Sequence, residues 1–251
     1  MGVEDKEMSF WDHLEELRGT LFRSILAVCL AAVLGFIFKK ALFWLIFLPA
    51  SPDFVVYRLL GWDFSLQMIN VEMAAQFFVH LQAAFGAGLI VAFPYVIWEI
   101  WRFILPALYS NERKAIGGAF LMATGFFYLG VSVGYFLVLP ACVQFFLNYT
   151  VSPEVTNSIT ISSYMSMFTS TVLMVGIAFE FPTVIKALSA AGVLDRGTLR
   201  KGRRYAVVAV LVLAAIVTPA DPLSMIVVAA PLYLLYEVSI LMSPKANGID
   251  K

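Results

Sequence analysis

Runs of apolar residues long enough to cross a lipid bilayer are the feature that most restricts how this chain can fold. A helix needs about 20 apolar residues to cross the hydrocarbon layer, because it rises only about 1.5 Å per residue. Residues 20–38, 77–98, 116–139 and 164–188 approach or exceed that length. The chain is 61% hydrophobic and 14% charged, with a mean hydropathy of +0.86, which is far more apolar than a globular domain. We therefore predict an integral membrane protein built of α-helices.

Two shorter apolar runs, 205–217 and 223–242, bring the predicted number of membrane spans to six. Pro219 and Pro222 lie between them on either side of an aspartate, and two prolines so close together would break a single continuous helix. The run 205–217 would be only about 20 Å long as a helix, so it is expected to thin the bilayer locally. The predicted fold is one all-α transmembrane domain covering residues 1–251.

Basic residues fall almost entirely on one side of these predicted spans. Of the 17 lysines and arginines, all but Lys39, Lys40 and Arg58 lie before or just inside the first span, in the second and fourth connecting segments, or in the C-terminal tail. Cytoplasmic segments of membrane proteins carry an excess of Lys and Arg, so both termini are predicted to be cytoplasmic. The opposite side holds the long aromatic segment 39–76, which is predicted to form an extracytoplasmic cap of short helices.

Charged residues crowd the entrance to the first span, in the sequence HLEELR at 13–18. Glu15 has Arg18 three residues ahead as a local partner on a helix. The neighbours of Glu16 at helical spacing offer no cation. Glu16 is therefore either an ordinary solvated carboxylate or a carboxylate available to bind a cationic ligand.

The second connecting segment combines an acid with an apolar stretch. Glu112 falls in the predicted first turn of the third span, with Ser110 as the capping residue, where the helix dipole alone favours an acid. Residues 103–108, around Pro106, are unusually apolar for a cytoplasmic segment. They are predicted to fold back against the membrane face.

An acid also lies inside the fourth predicted span, in the sequence FEFP at 179–182. A carboxyl group within the hydrocarbon costs a few kcal/mol unless it finds a partner or water, and such residues are usually functional. Pro182 cannot donate a backbone hydrogen bond and should kink the helix. We predict that Glu180 and Pro182 line a polar groove. The pair Gly130 and Gly134 in the third span predicts ordinary close packing of helices.

The sequence offers little for catalysis or metal binding. His13 and His80 are the only histidines, and neither a His-Glu-x-x-His nor a Gly-x-Ser-x-Gly motif occurs, which argues against an intramembrane hydrolase. Cys29 and Cys142 lack metal-type spacing, so no metal and no cofactor are expected. A formal net charge of zero gives no reason to expect a nucleic-acid partner.

Five short motifs follow one another along nearly the whole chain. They are HLEELR at 13–18, FILPALYSNER at 103–113, FEFP at 179–182, TPADPLS at 218–224 and PLYLLYE at 231–237. In this order they resemble the motifs of the TatC family, the multispanning subunits of the bacterial twin-arginine protein translocase. The resemblance implies a multi-pass protein of the bacterial cytoplasmic membrane with both termini in the cytoplasm.

The resemblance also implies a function in transport and not in catalysis. A TatC-type subunit binds the twin-arginine signal peptides of folded proteins, works with TatA and TatB in an oligomeric receptor complex, and uses the proton-motive force without ATP. Two carboxylates suit two guanidinium groups, because each can accept a planar pair of hydrogen bonds. The residues that the resemblance assigns to signal-peptide binding are Glu16, Glu112, Arg18, Phe103, Pro106, Tyr109 and Arg113. Those assigned to contact with a partner helix are Thr218, Asp221 and Met225, the last at a position where the family often carries Gln.

A proton- or ion-coupled transporter of a small solute is the alternative function, since Glu180 could serve as its carrier site. Such transporters often contain inverted repeats with broken helices at matching positions, and no such repeat is visible here. Deletion of the gene separates the two functions. A translocase subunit predicts mislocalised folded, cofactor-bearing exports, whereas a solute transporter predicts altered uptake of one solute.

Overall fold

The structure, a computed structural model, describes residues 10–62, 66–108, 113–152, 154, 157–190, 193–217 and 222–243, and nearly all of its regular structure is helical. Its α-helices in chain order are α1 (Phe10–Ile37), α2 (Lys39–Phe47), α3 (Val55–Leu60), α4 (Ala75–Leu108), α5 (Arg113–Val133), α6 (Leu139–Asn148), α7 (Ile161–Ala178), α8 (Phe181–Ala190), α9 (Arg196–Lys201), α10 (Arg203–Val217) and α11 (Pro222–Met242). Two short strands, β1 (Met68–Ile69) and β2 (Ile159–Thr160), pair in parallel.

Five helical stretches within the described residues are long and apolar enough to cross a membrane. They are His13–Ile37, Lys39–Leu60, Ala75–Ile104, Phe120–Asn148 and Ile161–Ser189, and Met225–Leu241 is a shorter apolar helix. Large apolar side chains cover their outer surfaces, as on α1, where Phe22, Ile25 and Leu30 are exposed. Such surfaces are expected of helices whose solvent is lipid, because only an apolar surface is stable there.

The longest helices, α1 and α4, pack against each other in antiparallel orientation along most of their length. Phe36 stacks on His80 near one end, and Arg23 bonds Glu99 towards the other. Between these contacts Gly88 lies so close to α1 that a β-carbon on it would be 2.7 Å from the backbone nitrogen of Ala32. Small residues therefore allow the two backbones to approach closely.

Replacing Gly88 with alanine should loosen this helix pair. The added methyl group would lie within 2.9 Å of both the α- and β-carbons of Ala32, and a helix backbone cannot move aside as a flexible side chain can. We expect a loss of about 1–3 kcal/mol in the free energy of unfolding, seen as a lower midpoint of thermal unfolding in detergent. Gly125→Ala is the matched control, because nothing lies within 4 Å of a β-carbon at Gly125. Equal midpoints for the two variants would contradict the close approach.

The helix that carries the second predicted span, 77–98, extends beyond it, because α4 continues without a break to Leu108. Residues 103–108 form its last turns and are not a segment folded back against the membrane. Near the end of a helix Pro106 removes only one backbone hydrogen bond, whereas continuing the helix keeps Phe103 in contact with α1. Further inside α4, Pro94 leaves the carbonyl group of Ile90 without a helical donor, and the Tyr128 hydroxyl donates to that carbonyl at 3.1 Å.

A cap of short helices lies over the end of the molecule where α1 ends and α4 begins, as the sequence predicted; its extracytoplasmic placement stays a prediction. Its core includes Phe54 and Tyr57, each 1% exposed. Three tyrosine hydroxyls donate to backbone carbonyl groups of α2 and of the turn that follows it: Tyr57 to Pro49 (2.8 Å), Tyr135 to Leu45 (2.7 Å) and Tyr164 to Ile46 (2.7 Å). The bond from Tyr57 lies within the cap, and the bonds from Tyr135 and Tyr164 attach the cap to the turn that follows α5 and to α7.

The predicted close packing at Gly130 and Gly134 is confirmed. A β-carbon on Gly130 would lie 2.6 Å from Cβ of Phe179, and one on Gly134 would lie 3.1 Å from Cα of Val172. The helical path continues beyond the predicted end at residue 139, through a π-helical turn at Gly134–Val138 into α6. Pro140 cannot donate to the carbonyl group four residues before it, which favours this widened turn.

The fourth predicted span, 164–188, is interrupted. Helix α7 ends at Ala178 and α8 begins at Phe181, so Phe179 and Glu180 form the junction between them. Pro182 cannot bond the carbonyl group of Ala178, which is the physical reason for a break at this point. Helices α10 and α11 pack together against α7 and the π-helical turn, around a buried cluster that includes Val138, Val175 and Val228.

Candidate functional site

A pocket of about 280 Å³ opens between the N-terminal half of α1 and the C-terminal end of α4. It combines acidic, basic and aromatic side chains at one end of the molecule. The residues that line it are Glu15, Glu16, Gly19, Thr20, Arg23, Arg102 and Phe103. The antiparallel packing of α1 on α4 therefore brings together residues that are more than 80 positions apart in the chain.

Helical spacing places the polar residues of α1 in this pocket. Glu16, Thr20 and Arg23 follow one another at four and three residues, so they share the face that turns towards α4. Thr20 is buried and Glu16 is half-buried. Glu16 has no ion-pair partner within the part of the chain that the structure describes. The pocket thus holds a partly desolvated carboxylate that could accept a cation.

The predicted pairing of Glu15 with Arg18 is wrong for the structure. The ion pairs among the described residues are Arg23–Glu99, Arg58–Asp53 and Arg203–Glu237. Glu15 lines the pocket and Arg18 does not, and both side chains are exposed. An exposed ion pair on a helix stabilises the fold by less than about 1 kcal/mol, because solvation of the two charges and the entropy of the side chains oppose it.

An aromatic side chain forms the apolar wall of the pocket. The ring of Phe103 is half-buried and stacks on the His13 imidazole with ring centroids 4.4 Å apart and an angle of 22° between the planes. This contact joins the first turn of α1 to the last turns of α4. The wall and the acids of α1 together make a surface suited to a ligand that carries both apolar and cationic groups.

An ion pair closes the inner side of the pocket. Arg23 donates from Nε and Nη2 to the same oxygen of Glu99, Oε2, at 2.9 and 2.8 Å. The Glu99 side chain is only 4% exposed, whereas that of Arg23 is 45% exposed. A buried carboxylate is strongly disfavoured without a partner, and Glu99 has the Arg23 guanidinium group and the Tyr95 hydroxyl beside it.

Glu180 lies away from this pocket, at the junction of α7 and α8. It is half-buried, near the Thr183 side chain and the backbone of Phe127. Its Oε1 atom and the Thr183 hydroxyl are buried without a hydrogen-bond partner in the described structure. Pro182 is buried in the first turn of α8. A carboxyl oxygen without a hydrogen-bond partner at a helix break is unusual in a folded protein.

The remaining predicted site residues are only partly visible. Met225 is half-buried in α11 and packs against the buried cluster that includes Val138 and Val228. Pro106 and Arg113 belong to α4 and α5, but their side chains lie outside the described part of the chain. Tyr109, Glu112, Thr218 and Asp221 lie outside the described residues altogether. Within the described residues, no group of three or more His, Cys, Asp or Glu could hold a metal ion.

Comparison with known proteins identifies the family. The family model for the Sec-independent protein translocase protein TatC matches residues 12–231. The chain belongs to the TatC family. The TatC of Blattabacterium sp. subsp. Periplaneta americana (strain BPLAN) is 36% identical, over 97% of each chain. The TatC of Deinococcus radiodurans is 35% identical, over 93% of this chain and 84% of its own length.

Solved TatC structures have the same fold. A crystal structure of the twin arginine translocase receptor TatC in DDM superposes with a TM-score of 0.79 and 32% identity, covering 92% of this chain and 99% of that one. A second crystal structure of that receptor gives a TM-score of 0.76. This chain is therefore a membrane-embedded subunit of the Sec-independent translocase type, a transport protein with several long apolar helices.

In this TatC-family chain the pocket contains residues that sequence reasoning missed. Arg23 and Arg102 were counted only among the bases that indicate the topology, and Glu99 and Thr20 were given no role. A signal was present, because Glu99 is the one acid between Glu72 and Glu112 and Arg23 is the one base within the first span. Two lone opposite charges in consecutive long apolar segments predict a pair, provided that the two helices are known to be antiparallel neighbours.

Proposed function

We propose that this chain is the receptor subunit of a twin-arginine translocase. It binds the twin-arginine signal peptides of folded proteins at the pocket between α1 and α4. Together with the single-span proteins TatA and TatB, and as part of an oligomeric complex, it exports those proteins across the bacterial cytoplasmic membrane using the proton-motive force. Thr218, Asp221 and Met225 belong to the proposed contact with the partner helix.

The proposed topology has six membrane spans with both termini in the cytoplasm. It is supported by the distribution of Lys and Arg, which concentrate at the end of the molecule that carries the pocket. Helix α10 has only 15 residues and is the short span of this topology. The pocket then opens at the cytoplasmic surface, where an exported protein first presents its signal peptide.

The observation that carries the proposal is Glu16, which is half-buried beside the Phe103 wall and has no ion-pair partner among the described residues. A guanidinium group binds such a carboxylate through charge-assisted hydrogen bonds, which are about twice as strong as neutral ones. Glu112 is the proposed second acceptor. Its place in the sequence, four residues beyond the end of α4, is the reason for this proposal.

Glu16→Gln should weaken binding of a twin-arginine signal peptide by about 5- to 150-fold, because a charge-assisted pair contributes about 1–3 kcal/mol. The affinity is measured for the full chain in nanodiscs with a labelled peptide, at low and at high salt. The effect should shrink at high salt, since the site lies at the membrane surface. Glu112→Gln should act in the same direction.

Glu72→Gln is the matched control for these two variants. It removes one exposed carboxylate at the opposite end of the molecule, just before α4, and should leave the affinity unchanged. If Glu16→Gln and Glu112→Gln both bind the peptide as tightly as the control, the proposed docking site is wrong. If deletion of the gene alters uptake of a single solute and leaves folded exports correctly localised, the receptor function itself is wrong.

A further inference from the structure

In the ion pair between Arg23 and Glu99, the arginine faces the pocket and the glutamate lies behind it. Arg23 is one of the residues that line the pocket, whereas Glu99 is not and has a side chain that is 4% exposed. The guanidinium group of Arg23 therefore covers the carboxylate of Glu99 and presents itself to any ligand. A pocket proposed to bind arginines thus has a resident arginine at its inner side.

The net charge of the pocket depends on this arrangement. Among the lining residues the two carboxylates of Glu15 and Glu16 are balanced by the two guanidinium groups of Arg23 and Arg102. Only Glu99, behind Arg23, gives the site a net negative charge, of one unit. Since charges within one Debye length of about 10 Å still interact, the affinity for a cationic segment should depend on this buried acid.

We propose that the Arg23–Glu99 pair sets the charge of the docking pocket and so its affinity for the arginines of a signal peptide, an inference that rests on the proposed function. Glu99 neutralises the resident guanidinium group, which would otherwise repel the incoming ones. Arg23 in turn occupies Glu99 and prevents it from acting as a further acceptor that would hold the signal too tightly or accept other cationic segments. Both residues act through the pocket's charge and are positioning residues.

The Arg23–Glu99 pair could set the charge of the pocket or only hold α1 against α4 as a structural clamp, and these two roles predict different effects of single substitutions on peptide affinity. If the pair only holds α1 against α4, loss of either partner should weaken peptide binding, because a distorted pocket binds less well. If the pair sets the charge, loss of Glu99 should weaken binding and loss of Arg23 should strengthen it. Glutamine is the replacement of choice at both positions, since it keeps hydrogen-bonding groups and removes only the charge.

The experiment measures the affinity of a synthetic twin-arginine signal peptide for the full chain in nanodiscs at low salt. We expect Glu99→Gln to bind about three- to tenfold more weakly and Arg23→Gln about three- to tenfold more tightly, from one unit charge at the far side of a small pocket. The double variant R23Q/E99Q restores the wild-type net charge and should bind within about twofold of wild type. Both single effects should diminish at high salt.

Arg23→Lys is the control for local unfolding around Glu99, because it keeps a positive charge beside that carboxylate. Lysine keeps the charge and loses the planar pair of hydrogen bonds, so charge setting predicts near wild-type affinity, whereas a clamp that depends on those two bonds predicts weaker binding. Thermal unfolding of each variant reports the fold separately. Weaker or unchanged binding by Arg23→Gln, or clearly weaker binding by a folded Arg23→Lys, would overturn the inference.

This failure is distinguishable from failure of the proposed function. If Glu16→Gln weakens binding but the Arg23 and Glu99 variants do not change the affinity in opposite directions, the docking site is supported and the charge-setting role is wrong. If none of the variants, Glu16→Gln included, changes the affinity, the pocket is not the docking site and both proposals fall together.

Discussion

Replacing Phe103 with asparagine should reduce export of a twin-arginine cargo by about 30-fold or more while leaving the protein in the membrane at its normal level. The ring forms the apolar wall of the pocket and stacks on His13, at the contact between the ends of α1 and α4. Burial of a phenylalanine side chain contributes about 1.5–3 kcal/mol, so losing the apolar contact with a bound signal peptide should cost about 2 kcal/mol.

Asparagine is preferred to aspartate in this test because a new carboxylate in the pocket would itself attract guanidinium groups. Phe103→Leu is the matched variant, since it keeps an apolar side chain of similar size and loses only the stacking. It should retain most of the transport. Protein level is measured in the membrane fraction and export by cargo localisation. Degradation of the asparagine variant, but not of the leucine variant, would show that Phe103 serves packing. Normal export by a stable asparagine variant would show that Phe103 is not part of the docking site.

Length and hydropathy predicted four of the five long apolar stretches, those at 13–37, 75–104, 120–148 and 161–189, whereas the fifth, Lys39–Leu60, was assigned to the cap. The sequence also predicted the cap of short helices and the close approach at Gly130. It misplaced the ends of helices. Helix α4 runs to Leu108 through two prolines, because tertiary contacts compensate for them: the Tyr128 hydroxyl donates to the carbonyl group of Ile90 that Pro94 leaves free, and the stacking of Phe103 on His13 stabilises the turn before Pro106. Such compensation between distant residues cannot be seen in local propensity.

The sequence predicted only part of the candidate site. Glu16 and Phe103 were singled out separately, each because it was anomalous in its own surroundings, and α1 and α4 bring them to one pocket. The Arg23–Glu99 pair was missed, because pairing was sought at three and four residues along one helix and these partners are 76 positions apart. The local pair expected from that rule, Glu15 with Arg18, does not form. The free energy of an exposed local pair is too small to fix two long side chains, whereas burial makes the distant pair obligatory.

Glu180→Ala should reduce transport by about tenfold or more and leave the stability of the protein unchanged or higher. Helix α7 ends just before this residue, and its Oε1 atom is buried without a hydrogen-bond partner in the described structure. An unpaired buried polar atom destabilises the folded state by about 1–3 kcal/mol, so removing Oε1 should offset the contacts that the rest of the carboxyl group makes near Thr183 and Phe127. A structural role would give the opposite pattern, with lower stability and a proportionate loss of transport.

Glu180→Gln separates polarity from charge, since it keeps the shape and the hydrogen-bonding groups of the side chain. We expect it to retain most of the transport, because a polar contact to a partner helix or to the tip of the signal hairpin would need an acceptor and not an ion. Failure of the glutamine variant together with partial rescue by Glu180→Asp would show instead that ionisation matters. Transport and thermal unfolding are measured on the same membrane preparations, so that each variant gives both quantities.

Whether water reaches Glu180 decides what kind of contact it makes. Ala178 is half-buried and Val184 is exposed, on either side of the helix break. In a background in which the exposed Cys29 is replaced by alanine, a cysteine at either position should react with a water-soluble thiol reagent if a wetted groove surrounds the break. The unpaired Oε1 atom would then be hydrated at rest, and a partner's polar group would have to displace that water. Complete protection of both cysteines in a transport-competent protein would mean that Glu180 lies in a dry interior, where only a partner that binds directly to it could satisfy the carboxyl group.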